Sequence, residues 1–396
     1  KLSMPREEIQ RRNLLKENDR FPYGQQAMHC HAQTTWDRAT ERYGLPAAIS
    51  RVDAYNKSHF GTKKGIALMP VCFGISFTTT FLNQASALVH VYTDGSVSIS
   101  TGGVEMGQGL NTNITTIAAR ALGISHNRIK IESTNTTRTA NMSASSASAT
   151  TVLNGNAVLI AIGQILDRLK SVVTGEPGIS DREKVTLVDE TVIYDGRKTE
   201  WTWERLIQTA YTKRIDLSAH GFYATPGIYF DKAQEKGSPF AYHVFGTAII
   251  EVTLDCLLGT YNIDAVRIVH DLGRPLNNLI DRGQVEGGLV QGLGLMTIED
   301  LQYNKKGQLL SRDLATYKAP DVYFSPDDIE VEFLEGGEEA LGPYGNKAVG
   351  EPPLMYGIGV FFAIRHAMRA FRPGREFAFI SPLTPERVLL QLYPDF

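Results

Sequence analysis

One acidic residue stands directly before two prolines, a position that suits acid–base chemistry. Glu351 precedes Pro352 and Pro353 in the segment Lys347-Ala-Val-Gly-Glu-Pro-Pro-Leu. Proline fits the first turn of a helix, where its missing N–H costs no hydrogen bond, so a helix is predicted to begin just after Glu351. The positive end of that helix favours an ionised carboxylate, which could accept a proton. An acid at a helix start can equally be a cap only, and these residues alone leave both interpretations open.

Two glycine-rich segments could approach a phosphate-bearing ligand. They cover residues 102–109 and 283–288, and each is predicted to begin a helix. Glycine allows the backbone to come close to a ligand, and free N–H groups at a helix start bind anions. Close packing of a helix on a sheet also requires glycine, so the residues do not decide between the two. The spacing of a dinucleotide-binding fingerprint is absent.

A third candidate is a run of Ser, Ala, Thr and Asn between residues 133 and 151. Small hydroxyl residues at this density are typical of a solvated linker. The run lies between a predicted strand near 128–132 and an apolar helix over 152–169, so a loop that wraps a ligand is the alternative. Phe77 and Thr78 end another predicted strand, where a phenylalanine more often belongs to the core.

These candidates depend on strands and helices that alternate along the chain. Asp94-Gly95 between two apolar runs is a hairpin signal, and a second hairpin is predicted over 242–271. Helices are predicted over 107–122, 278–296 and 354–371. Because the hairpins make many strand pairs antiparallel, we expect an α+β fold, with mixed sheets packed against helices, rather than a doubly wound parallel sheet.

Composition narrows the function classes. The chain has 396 residues, 42% of them hydrophobic, and a net charge of −3, so it can bury a large core and offers no basic excess for nucleic acid. No apolar stretch reaches the ~20 residues of a bilayer span, which argues against a membrane partner. Three scattered cysteines indicate neither a disulfide framework nor a thiolate metal site, and they favour a cytoplasmic protein.

In combination and in order, these segments resemble the xanthine dehydrogenase and aldehyde oxidase family, from the first helix almost to the end of the chain. The likeness rests on a set of motifs: Phe73-Gly-Ile-Ser-Phe-Thr, Phe81-Leu-Asn-Gln, Tyr92-Thr-Asp-Gly-Ser-Val, Glu105-Met-Gly-Gln-Gly-Leu, Gly221-Phe-Tyr-x-Thr-Pro, Gly283-Gln-Val-Glu-Gly, Val290-Gln-Gly-Leu-Gly-Leu, Thr316-Tyr-Lys-x-Pro and Lys347-Ala-Val-Gly-Glu-Pro-Pro-Leu. The family's loop usually reads Pro-Thr-Ala-Ala where residues 144–147 read Ala-Ser-Ser-Ala.

The resemblance implies roles for particular residues. It makes Glu351 the general base and places Phe77 and Thr78 in the substrate pocket. Ala147 would lie beside the molybdenum without being a side-chain ligand. The residues implied to bind the cofactor are Gly107, Gln108, Ser145, Ser146, Ala147, Ser148 and Gln284.

The same resemblance implies a molybdenum hydroxylase that converts a purine such as hypoxanthine or xanthine to urate with oxygen from water. The cofactor would be molybdopterin, either as such or as its cytosine dinucleotide. Electrons would pass to 2Fe–2S and FAD centres on other chains or segments. The alternatives are a hydroxylase of other N-heterocycles or of aldehydes, and a non-catalytic cofactor-binding or assembly fragment.

We also expect the chain to be part of a longer polypeptide. Residues 1–34 would close a first molybdopterin-binding domain, and residues 35–396 would form a second one made of two α+β subdomains. The expected partners are the remaining N-terminal part of the molybdenum domain, the Fe–S and FAD domains or subunits, a small heterocyclic substrate, and a second complete protomer in a dimer.

Overall fold

A computed structural model describes residues 4–394. Its helices are α1 (Arg6–Arg12), α2 (Ala32–Arg42), α3 (Leu45–Ser58), α4 (Leu110–Leu122), α5 (Thr150–Val173), α6 (Trp203–Thr212), α7 (Asn278–Thr297), α8 (Leu354–Gly357), α9 (Gly359–Phe371) and α10 (Pro385–Leu392). Its strands are β1 (Thr62–Ile75), β2 (Gln84–Val91), β3 (Val97–Thr101), β4 (Ile129–Ile131), β5 (Val185–Val188), β6 (Thr191–Tyr194), β7 (Arg197–Thr202), β8 (Ser218–Ala224), β9 (Tyr229–Asp231), β10 (Lys236–Ser238), β11 (Tyr242–Asp255), β12 (Tyr261–His270) and β13 (Ile329–Phe333).

Two four-stranded sheets form the framework, in the orders β1-β11-β12-β13 and β4-β3-β2-β8. Both are mixed: β13 runs parallel to β12 and β4 parallel to β3, whereas the other pairs are antiparallel. The remaining strands form a three-stranded sheet, β5-β6-β7, and the ribbon β9-β10. The α+β prediction with mixed sheets is confirmed.

Each large sheet carries helices on an apolar face. Helices α4 and α5 cover the β4-β3-β2-β8 sheet, and α7, α8 and α9 cover the other one, each with its own buried cluster of aliphatic side chains. Two contacts depend on glycine. A Cβ on Gly221 would lie 2.0 Å from the carbonyl oxygen of Ala157, and one on Gly65 would lie 1.9 Å from that of Ala363. Phe73 packs against both clusters and so joins the two sheets.

Three local predictions were wrong. Residues 174–200 are a polar stretch for which no strand was predicted, yet they contain most of the sheet β5-β6-β7. The pair Asp195-Gly196, both with positive φ, makes the β6–β7 turn and was a hairpin signal in the sequence. The glycines at 283–288 lie inside α7 rather than at its start. The helix after Glu351 is divided into α8 and α9 at Ile358.

Within residues 4–394, no helix has both the length and the apolar character that a membrane span requires.

Candidate functional site

A cavity of about 280 Å³ lies where four segments meet: the turn before α4, the loop before α5, the first turns of α7, and residues 346–351. The predicted base Glu351 lines this cavity. So do predicted cofactor-binding residues from three of the segments, namely Gln108, Ser145, Ser146, Ala147, Ser148 and Gln284. The fold therefore brings together residues that are up to 243 positions apart in the sequence, from Gln108 to Glu351.

Glu351 is held through its backbone, and its side chain is exposed. Its N–H donates to Ser148 Oγ at 2.7 Å, and its carbonyl oxygen accepts from the N–H of Leu354 at 3.1 Å, in the turn that opens α8. Gly350 leaves room for this contact, because a Cβ there would lie 3.0 Å from Ser148 Oγ and would push the hydroxyl by a few tenths of an ångström. The prediction that a helix begins directly after this glutamate is confirmed.

The segment before Glu351 is anchored in the protein interior. Lys347 N–H donates to the carbonyl oxygen of Leu272 at 2.8 Å, and Ala348 N–H donates to the Tyr242 hydroxyl at 3.0 Å. Lys347 Nζ pairs with Asp271 Oδ2 at 2.6 Å, with side chains only 1% and 0% exposed. These contacts fix the backbone four residues upstream of the candidate base.

Asp271 is the centre of this anchor. Besides Lys347, it accepts from the backbone N–H of Gly273 at 3.3 Å and contacts His31 Nδ1 at 3.0 Å. Burial raises the pKa of Asp271, but the His31 hydrogen bond and the Lys347 charge outweigh it, so the pKa lies below its usual value. An ionised carboxylate is thus kept inside the protein by partners on three segments.

Glu105 organises the turn before α4. Its carboxylate accepts from the backbone N–H groups of Gly107, Gly109 and Asn111 at 2.8, 3.1 and 2.9 Å. Burial raises the pKa of Glu105, yet these backbone hydrogen bonds together bring it below the usual value. Gly107 has a φ of 96° and serves this turn; it is not among the residues that line the cavity.

Of the two alternatives for the glycine-rich segments, an open helix start that binds an anion is not what the structure shows at either place. At α4 the carboxylate of Glu105 takes the N–H groups of Gly107, Gly109 and Asn111, the last of them in the first turn of the helix. At α7 the Asn277 Oδ1 accepts from the N–H groups of Leu279 and Ile280 at 3.1 and 3.2 Å. Each helix start is capped by a side chain of its own segment.

The serine loop is bent by an unusual backbone. Ala147 and Ser148 are consecutive non-glycine residues with φ of 55° and 52°, a conformation that costs roughly 1–3 kcal/mol per residue and clusters at ligand sites. Ser145 Oγ accepts from the N–H of Val104 at 2.8 Å, as Ser148 Oγ does from Glu351. The two hydroxyls predicted to face the cofactor thus also join the loop to its neighbours. Of the two alternatives, the loop that encloses a cavity describes this segment better than a linker.

Phe77 and Thr78 lie outside the cavity. Phe77 is half-buried, and its backbone bonds the Asn83 amide at 2.8 and 2.9 Å; Thr78 is exposed and lines a different cavity, beside Tyr23 and Phe230. They follow the end of β1, where Ile75 pairs with Tyr242. The described residues do not bring this pair into the cavity with Glu351.

Asp281 is a cavity residue that sequence analysis did not identify. It lies one turn into α7, is buried, and accepts from the N–H of Asn277 at 3.1 Å. Burial raises the pKa of Asp281 to about 6. The backbone hydrogen bonds lower this pKa, but by less than burial raises it. The adjacent glycine-rich motif drew attention to Gln284 instead, and no local pattern marks Asp281 as buried.

This pKa leads to a testable dependence on pH. The raised pKa means that ionised Asp281 lowers the free energy of unfolding. This loss is absent at a pH below about 4, the pKa of Asp281 in the unfolded chain, and is complete at a pH above about 6. Asp281→Asn keeps an oxygen for Asn277 and removes the charge, so it should raise the free energy of unfolding by about 2 kcal/mol at pH 8. Urea unfolding should show that gain shrinking as the pH falls through 6. A gain that is the same at pH 5 and pH 8 would contradict the assignment.

The cavity lining fits a polar heterocycle better than a bare metal ion. Within residues 4–394, no three His, Cys, Asp or Glu side chains are grouped to hold a metal, so a metal here would be carried by its own organic ligand. The lining is rich in amides and hydroxyls, and the buried Oδ1 atoms of Asn113 and Asn346 have no hydrogen-bond partner in the described structure. Unpaired buried polar atoms are rare in folded proteins and point to a missing partner. Molybdopterin, a heterocycle with both N–H and carbonyl groups, matches this lining.

Comparison with known proteins identifies the family. Residues 38–326 match the model of the molybdopterin cofactor-binding domain family. The xanthine dehydrogenase/oxidase of Mus musculus is 39% identical over 392 residues, which are 97% of this chain and 28% of that protein. Aldehyde oxidase 2 of Macaca fascicularis is 35% identical over 392 residues, covering 98% of this chain and 27% of that protein.

The fold also matches a solved structure. Quinoline 2-oxidoreductase from Pseudomonas putida 86 superposes with a TM-score of 0.82 at 22% identity, over 98% of this chain and 49% of that one. This chain spans about 28% of the length of the curated relatives it matches. With the family model covering most of the sequence, this chain belongs to the molybdopterin cofactor-binding domain family.

Proposed function

We propose that this chain is the part of a molybdenum hydroxylase that holds the molybdenum cofactor and supplies the general base, Glu351. The observation that carries the proposal is the shared cavity: Glu351 lines it together with Gln108, Gln284 and the strained loop at Ala147. The family match and the relatives named xanthine dehydrogenase and aldehyde oxidase support it.

In this proposal the chain's own residues bind the cofactor and move one proton. Gln108, Gln284 and the loop of residues 145–148 would hold the heterocycle, Ala147 would be the residue nearest the metal, and Gly107 shapes the turn that presents Gln108. When bound, the cofactor supplies a two-electron redox centre and oxygen derived from water. The Glu351 carboxylate would accept a proton from the water-derived oxygen that attacks the substrate. The anchored backbone of Glu351 would set the direction from which the carboxylate reaches that oxygen.

We further propose a purine such as hypoxanthine or xanthine as the substrate, with urate as the final product. The Gly350-Glu-Pro-Pro sequence and the higher identity to xanthine dehydrogenases than to an aldehyde oxidase support a purine over an aldehyde. Phe77 and Thr78 would contact the substrate once the remaining parts of the enzyme complete the pocket.

The proposed organisation has the length of the relatives as its support, since this chain spans about 28% of it. Residues 1–34 would end a first molybdopterin-binding domain and residues 35–396 would form a second. An iron–sulfur cluster needs about four thiolates and the chain has three scattered cysteines, so 2Fe–2S and FAD centres would lie on other segments or subunits of a dimeric enzyme.

The test is cofactor analysis and steady-state turnover of the complete protein. We expect molybdenum and pterin near one per protomer, and kcat/KM for xanthine or hypoxanthine at least tenfold above that for an aromatic aldehyde, since a site built to hydrogen-bond a heterocycle discriminates strongly. A preference for the aldehyde would reject the purine and keep the hydroxylase. Protein that binds neither molybdenum nor pterin would overturn the proposal.

A further inference from the structure

Several polar side chains that line the cavity are already engaged with the protein. Gln108 accepts from the N–H of Met106 at 2.5 Å and donates to the carbonyl oxygen of Val104 at 2.8 Å. Ser145 and Ser148 accept backbone N–H groups, and Lys347 is paired with Asp271. These contacts fix the orientation of each side chain, and the serine hydroxyls keep their own hydrogen to donate to a ligand.

Asn113 differs from them. It lies in the first turn of α4, lines the cavity, and is only 7% exposed. Its Oδ1 has no partner, and within residues 4–394 its amide makes no side-chain hydrogen bond. A buried amide without partners weakens a folded protein, because its lost hydration is not replaced. Asparagine is also a poorer helix former than leucine or alanine, so neither the helix nor the core explains it.

The other unpaired asparagines are placed differently. Asn346 also lines the cavity, but its Oδ1 lies against Gly342, 2.9 Å from where a Cβ would stand. Asn154 has an unpaired Oδ1 too, but its Nδ2 donates to the carbonyl oxygen of Thr150 at 2.8 Å, and it is not among the lining residues. Among the described residues, Asn113 and Asn346 thus both combine an amide without partners with a place in the cavity wall, and Asn113 is the one whose Oδ1 does not lie against the glycine at 342.

We propose that Asn113 is a further cofactor-binding residue, whose amide hydrogen-bonds an N–H and carbonyl edge of the bound heterocycle. An amide offers both a donor and an acceptor, and rotation about its Cβ–Cγ bond can present either to such an edge. The proposal rests on the proposed function, because it takes the cavity to be the cofactor site. It adds a residue of α4 to the wall of the cavity that Glu351 also lines.

The inference predicts opposite effects of one substitution on the empty and the loaded protein. Asn113→Leu removes an unpaired buried amide, so the thermal midpoint of the complete apoprotein should stay the same or rise. In the loaded protein it removes a buried hydrogen bond, so the pterin should dissociate about tenfold faster. Released pterin can be measured by its fluorescence after oxidation, with molybdenum measured in parallel, and neither readout depends on turnover.

Asn113→Ala provides a second variant in case leucine does not fit, and Asn154→Leu is the matched control for an unpaired asparagine outside the cavity. Faster pterin loss from both Asn113 variants but not from the control supports the proposal. Unchanged retention in the Asn113 variants, or a loss of apoprotein stability with retention unchanged, overturns it and gives Asn113 a structural role. If unmodified protein contains no pterin, the proposed function fails, and this inference fails with it.

Discussion

Replacement of Glu351 by glutamine should lower the kcat of the complete enzyme for its substrate by about 10²–10⁴-fold, the usual contribution of a general base. Glutamine keeps the size of the side chain and cannot accept the proton. The backbone contacts of Glu351 with Ser148 and Leu354 do not involve its carboxylate, so the loop and the start of α8 should be unchanged. Steady-state kinetics at saturating substrate measures the effect.

The control for this prediction is Glu376→Gln, at an exposed residue outside the cavity, which should leave kcat unchanged. Molybdenum and pterin contents of Glu351→Gln should equal those of the unmodified protein, because the carboxylate is assigned to proton transfer and not to holding the cofactor. If the variant kept more than about a tenth of the rate, Glu351 would not be the base.

Replacement of Lys347 by methionine should destabilise the chain by about 3–5 kcal/mol, the typical cost of removing one partner of a buried ion pair. Methionine fills a similar volume, but it leaves the Asp271 carboxylate buried, with His31 and Gly273 as its remaining partners among residues 4–394. The free energy of unfolding in urea measures the loss. Because Lys347 anchors the segment that carries Glu351, kcat should fall as well.

A double variant separates charge from packing. Asp271→Asn combined with Lys347→Met removes both charges and keeps an oxygen for Gly273, so it should recover much of the lost stability. Arg274→Met, which breaks the exposed pair with Glu338, should cost no more than about 1 kcal/mol. A double variant no more stable than Lys347→Met alone would show that packing of the lysine stem, rather than the unpaired charge, causes the loss.

The sequence was most informative about features that residues only a few positions apart determine. The hairpin at Asp94-Gly95, the helix beginning after Glu351 and the α+β class were all predicted, because turn residues, prolines and apolar periodicity act over a few positions. The same rules could have found the turn at Asp195-Gly196, which was overlooked within a polar stretch. Helix α3 was also missed, although the glycine before it and the proline in its first turn are local signals of a helix start.

The site itself was predicted in part, and mostly through whole-motif resemblance. Resemblance identified Gln108, Gln284, the serine loop and Glu351, and the structure places these in one cavity. It did not reveal that Glu105 accepts from Gly107 and Asn111 at the start of α4, where an anion site was one of two alternatives. A carboxylate that binds its own helix start and one that leaves the donors free look alike in a sequence.

By itself, the sequence determined the elements, their order, the family resemblance and the chemical type of the candidate base, since these depend on residue identity and short spacing. Only the tertiary structure decided which side chains are free to act. The burial of Lys347 against Asp271, the raised pKa of Asp281 and the unpaired amide of Asn113 arise from contacts between segments distant in the chain. The free energy of a polar group depends on the partners and the water around it, and folding sets both.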